Sequence, residues 1–210
     1  MKSLASTFAL LLISTSLHAQ APAAQEAPPA VRVKIKKVNV IEQPTPQFNG
    51  GNVKEKRWRP KNWVEVDVEF EVDIPNSAGG SKGTYPSFQM GIYVALNHAD
   101  KEGKYEVVEG TLDLVNIPAG ENHVLAYVAP STMKLVFQKD FVTVSSDVKG
   151  WGVEVMAEGK RVAGDTNVGK GAWWEDKKDS FAFLQGMLLS KSKTPFAPLW
   201  GDYDVEVKSK

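Results

Sequence analysis

The chain has 210 residues, with 25 Lys and Arg against 25 Asp and Glu, 42% hydrophobic residues and no cysteine. That charge balance supplies no global field to attract nucleic acid or an anionic membrane. The missing cysteines exclude a disulfide framework and a lipidated cysteine, so a fold here must rest on its own hydrophobic core, for which the length suffices.

In chain order, residues 1–19 read as a secretory signal peptide. Lys2 opens it, an apolar run from Phe8 to Ile13 follows, and small residues surround Ala19, where cleavage is expected. The run is too short to cross a bilayer, which takes about 20 residues, so no integral membrane span is expected. Of the 25 basic residues, Lys2 alone lies in this segment, which leaves 24 against 25 acidic ones. Residues 20–30, QAPAAQEAPPA, hold too few large apolar side chains to order and read as a flexible Ala/Pro-rich tether. Residues 31–210 are expected to form a single domain.

Most of that domain alternates with period two, as half-buried strands do. In residues 63–73, Val64, Val66, Val68, Phe70 and Val72 point one way and Glu65, Asp67, Glu69 and Glu71 point toward water. Residues 31–40 alternate too but change phase through Lys36 and Lys37, which predicts a bulge. Further strands are expected at 87–96, 105–115, 123–129, 140–146, 151–163 and 203–208, separated by turn-rich segments. The exception is 175–192, where Phe181, Leu184 and Leu188 sit at helical spacing and Asp176 or Asp179 is placed to cap. The expected fold class is therefore mainly β, a two-sheet sandwich with an added C-terminal amphipathic helix.

The adjacent Trp173 and Trp174 invite a sugar-platform reading, but neighbouring side chains diverge on either a strand or a helix. They are expected to wedge between helix and sheet, with Trp174 the candidate exposed aromatic. The carboxylates of 65–71 suggest calcium, yet same-face groups on a strand stand about 6.8 Å apart and parallel, whereas calcium needs converging oxygens. Arg32, Lys34 and Lys36 offer a simpler partner, a charge ladder between neighbouring strands.

Residues 54–63, KEKRWRPKNW, form the strongest cluster of basic and aromatic groups. Lys54, Lys56, Arg57, Arg59 and Lys61 around Trp58 suit phosphates, sulfated sugars or an acidic partner surface, and they are the partner-binding candidates; a solvated loop is the plainer alternative. Catalytic motifs are weak. GGSKG at 79–83 matches a nucleophile elbow but lies between strands, and GSKGT lacks the helix a phosphate loop requires. His98 and His123 are isolated in sequence, so neither a metal site nor a histidine-based triad is expected, and no catalytic residue, metal or cofactor is assigned.

Three stretches, TPQFNGGNVKEKRWRPKNWVEVDVEFEV (45–72), YPSFQMGIYVAL (85–96) and FLQGMLLSKSKTPFAPLWGDYDVEV (183–207), resemble the exported pilus-like protein family of verrucomicrobial bacteria. The resemblance implies an immunoglobulin-like sandwich in a Gram-negative envelope, beside type IV pilus machinery in secretion, adhesion or host contact. It supplies no active site. True pilin leaders end in glycine before a long apolar helix, and residues 1–30 show neither, so assembly through such a helix is not expected. The expected function is a non-enzymatic binding or scaffold domain, exported to the periplasm, the outer membrane or the cell surface, with an envelope or pilus-machinery protein as partner. A carbohydrate-binding module taking glycans is the alternative, and an enzyme ranks last.

Overall fold

The structure is a computed structural model that describes residues 31–208 apart from 49, 53, 55 and 177. The expected signal and tether lie outside the described residues. Nine strands form two sheets: β1 (Arg32–Pro44), β2 (Asn62–Asp73), β3 (Thr84–Ala99), β4 (Tyr105–Pro118), β5 (Gly120–Val128), β6 (Val148–Ala157), β7 (Lys160–Thr166), β8 (Phe181–Gln185) and β9 (Leu188–Ser190). Among the described residues, three short α-helices interrupt them: α1 (Pro130–Phe137), α2 (Val144–Asp147) and α3 (Trp173–Asp176). The first sheet runs β1-β2-β5-β9 and the second β7-β6-β3-β4-β8. With β1, β2 and β5 in one layer and β7, β6, β3 and β4 in the other, the order is that of an immunoglobulin-like sandwich.

The alternation read from β2 places Val64, Val66, Val68 and Phe70 in the core with no exposure. Phe88, Met90, Ile92, Val94 and Leu96 of β3 answer them from the second sheet. The predicted bulge is present, as the β1–β2 register shifts between Ile35 and Lys37. The charge ladder forms as well: Lys34 lies opposite Glu71 and Lys37 opposite Glu69, and Lys36 Nζ reaches Glu71 Oε2 at 3.0 Å. Lys36 holds the Glu71 carboxyl below its ordinary range.

Five expectations are corrected. The C-terminal helix over 175–192 does not form. Phe181 and Phe183 face the tryptophans while Leu184 packs in the main core, which is period two, and β8 joins the edge of β4 in parallel. Gly186, at φ +70, then turns the chain across to the first sheet, where β9 pairs with β5. Asp176 and Asp179 therefore cap no long helix.

The strand expected at 140–146 is instead the approach to α2. Asp147 organises that turn by accepting from Thr143 N at 2.9 Å, Ser146 Oγ at 3.0 Å and Lys139 Nζ at 2.7 Å. Burial opposes its ionisation, but these donors outweigh burial and hold its carboxyl low. The segment 151–163 folds back as the β6–β7 hairpin. Residues 203–208 make one isolated bridge, Val207 to Leu114, rather than a strand.

Glu65, expected in water, is only 6% exposed. The segment after β9 folds over the outer face of the first sheet, where Phe196 stacks on Tyr127 at 4.5 Å and meets Trp63 edge-on at 5.8 Å. This makes a second, smaller core with Leu125 and Leu199. Burial pushes the Glu65 carboxyl up, although the neighbouring Tyr127 hydroxyl pulls the other way. Lys191, 7% exposed, anchors the same segment by an ion pair with Asp204 and by donating to the Trp200 carbonyl at 2.9 Å.

Candidate functional site

The candidate site lies at the end of the sandwich that carries the long β1–β2 loop. Thr45 and Lys61 close the stem of that loop, Thr45 N donating to the Lys61 carbonyl at 3.0 Å. Trp63 Nε1 donates to Thr45 Oγ1 at 3.1 Å. Because Val64 of β2 pairs with Val128 of β5, the stem emerges beside α1, which begins two residues later. Pro130, whose fixed φ suits a first helical turn, starts α1, and Met133 and Val136 bury its inner face.

Asp140, just beyond α1, joins these elements. Its Oδ1 accepts from Lys134 Nζ at 2.9 Å and from Lys61 Nζ at 3.3 Å, and the two ammonium groups hold its carboxyl low. Glu42 Oε1 adds a third tie by accepting from Val144 N at 2.7 Å. The loop, α1 and α2 thus share one surface.

Large apolar side chains protrude from it: Phe48 (61% exposed), Trp58 (53%), Leu135 (62%) and Phe141 (78%). Lys54, Lys56, Arg57 and Arg59 are exposed and form no salt bridge among the described residues. Among the described residues, Lys61 is the one partner-binding candidate held by a carboxylate. Phe48, Leu135 and Phe141 were not singled out from sequence. Their only signal there is that each is apolar beside polar or turn residues.

The tryptophan pair lies elsewhere, on the outer face of the second sheet. Trp173 and Trp174 are 3% and 6% exposed, so Trp174 is not the exposed aromatic expected. It lies flat on Tyr93, with ring centroids 4.9 Å apart and planes 13° apart. Trp173 meets it edge-on at 84° and donates from Nε1 to Thr166 Oγ1 at 2.8 Å. The pair sits on the short helix α3 itself, and Phe181 packs against Trp173, so no long C-terminal helix covers them. Around this face Tyr93 donates to Glu154 Oε1 at 2.7 Å, and Arg161 pairs with Glu154 and Glu175. Burial and Glu154 push the Tyr93 phenol up. A cavity of about 380 Å³ opens beside Trp174, and a cleft of about 710 Å³ runs along β4 past Glu109, whose carboxyl burial raises.

The two histidines of the described residues, His98 and His123, have carboxylate partners. His98 Nδ1 shares a hydrogen bond with Glu106 Oε2 at 2.7 Å, and His123 Nδ1 shares one with Asp67 Oδ1 at 3.0 Å. Tyr203 stacks on the His123 ring at 4.4 Å and donates to Asp67 Oδ2 at 2.8 Å. No serine or threonine hydroxyl bonds either ring among the described residues. No cluster of three metal-ligating side chains occurs among the described residues, the 65–71 carboxylates included. GGSKG forms a turn between β2 and β3. No helix of the described residues is long and apolar enough to cross a membrane.

These features define a mainly β, two-sheet sandwich. A family model matches residues 24–210, and the chain belongs to that family. A crystal structure of a protein from Akkermansia muciniphila superposes with a TM-score of 0.73 at 24% identity, covering 86% of this chain and 95% of that one. The likeness shows a shared fold, and the verrucomicrobial origin fits the resemblance seen in the sequence. No curated protein matches the chain.

Proposed function

We propose that this is a non-enzymatic, exported binding or scaffold domain of a Gram-negative envelope, working beside type IV pilus-like assembly, adhesion or host contact. The observation that carries the reading is the gathering, by Asp140, of the basic loop and α1 into one surface with four protruding apolar side chains. Exposed aromatics among arginines mark interaction surfaces. The family membership and the resemblance support the envelope setting, and the tandem-tryptophan route to a glycan platform loses support because both rings are buried.

A crosslinked pull-down of the tagged mature protein from native envelopes tests this, beside a variant with Lys56, Arg57 and Arg59 changed to Ser. Recovery of pilus or other envelope components supports the reading, and loss of the variant from the envelope fraction assigns docking to the loop. Recovery of the protein alone from both overturns it.

A further inference from the structure

The docking end mixes its apolar and cationic groups in an unusual way. Its apolar side chains come from no single element. They project singly from four places in the chain, Phe48, Trp58, Leu135 and Phe141, at 53% to 78% exposure. Cations flank three of them in sequence: Arg57 and Arg59 beside Trp58, Lys134 beside Leu135, and Lys139 two residues before Phe141, of which Lys134 and Lys139 are already held by Asp140 and Asp147.

A protein interface gathers its apolar groups in a desolvated centre and is depleted of lysine. A lipid headgroup layer takes the opposite arrangement. Separate aromatic and leucine tips enter the acyl boundary while neighbouring ammonium and guanidinium groups meet phosphates. The local charge suits that partner, since Lys56, Arg57 and Arg59 form no ion pair among the described residues and Asp140 is neutralised by Lys61 and Lys134. The whole chain is nearly neutral, so attraction to an anionic bilayer must come from this end alone.

We infer that this end seats on the surface of a bilayer containing anionic phospholipid, with Trp58 and Phe141 inserted and Lys56, Arg57 and Arg59 against the headgroup phosphates. The inference rests on the reading of this end as the docking surface and names what it docks to. Insertion of Trp58 needs no refolding, because its ring already stands clear of both cores.

The test is flotation of the mature domain with vesicles of phosphatidylethanolamine and about one third phosphatidylglycerol, against vesicles of phosphatidylcholine alone. Binding is expected to the anionic vesicles and to weaken as salt rises. Changing Lys56, Arg57 and Arg59 together to Ser should lower affinity about 100-fold. Trp58→Ser with Phe141→Ser should lower it at least about 10-fold, because exposed apolar area is lost without touching the core. A blue shift of tryptophan emission on binding should vanish in Trp58→Phe. Absence of flotation with anionic vesicles overturns the inference, as does binding indifferent to the two aromatic substitutions. If the domain fails to float yet still recovers envelope proteins through the basic loop, the docking reading stands and the lipid assignment falls. If it does neither, both fall.

Discussion

The ring of Trp174 occupies the space that a side chain on Gly152 would need: an added Cβ would lie 2.3 Å from Cζ3 and 2.4 Å from Cε3. Glycine on β6 is thus the floor on which the tandem tryptophans lie, and Tyr93 is the wall. Gly152→Ala should push the indole off its seat and cost about 2–3 kcal/mol, as overpacking of a filled site does. Urea unfolding of the two proteins measures the difference, and an unchanged midpoint would mean that the pair contributes little to the outer face.

Glu65 gives the domain a pH dependence of definite sign. Burial raises its folded pKa above the ordinary value of 4.5, so the native state resists ionising it. Below that value both states are protonated and no penalty exists; the penalty grows as pH rises through the folded pKa. Glu65→Gln keeps a polar neighbour for Tyr127 and removes the charge, so it should stabilise the fold at about pH 8 by roughly 1 kcal/mol and change little at about pH 4. Unfolding curves at the two pH values check this, and equal effects at both would reject it.

Lys191 and Asp204 should behave as a buried pair. Lys191→Met alone strands a carboxylate that is 10% exposed and should cost about 3–5 kcal/mol. Adding Asp204→Leu should restore a large part of that loss, since an apolar replacement for both partners removes the unpaired charge. A double-mutant cycle by urea denaturation distinguishes this from two additive losses.

Tyr203 clamps the last part of the chain to β2 and β5 through Asp67 and the His123 ring. Burial and Asp67 push its phenol up to about 12, so it should ionise later than a free tyrosine in an alkaline absorbance titration. Tyr203→Phe keeps the stacking, loses the hydroxyl bond and should cost about 1 kcal/mol. Hydrogen exchange should then speed up at Val205 N, which bonds the His123 carbonyl at 2.9 Å.

Where apolar and charged residues alternate without interruption, as in β2, the sequence carried the strand, its buried face and its partner's charge. The bulge at Lys36 was equally visible, because a phase change in the pattern has one structural meaning. Phe181, Leu184 and Leu188 fit a helix as well as they fit two short strands, and what decides between them is the open edge of β4, which is distant in sequence. The burial of Glu65 was hidden for a related reason: its cover, Phe196 and Trp63 around Tyr127, comes from three separate segments. The basic loop was legible as a cluster, but the apolar groups that share its surface were not. Leu135 and Phe141 meet it through Asp140, which reaches Lys61 across 79 positions.

The closing of the sandwich falls late in the chain. Everything that covers the tryptophan face, lengthens the second sheet beyond β4, crosses between sheets at Gly186 and roofs β2 and β5 lies after Ala172. Without those residues, β1 to β7 would leave the outer faces of both sheets bare. The native packing is complete only when that final segment has docked on both sheets.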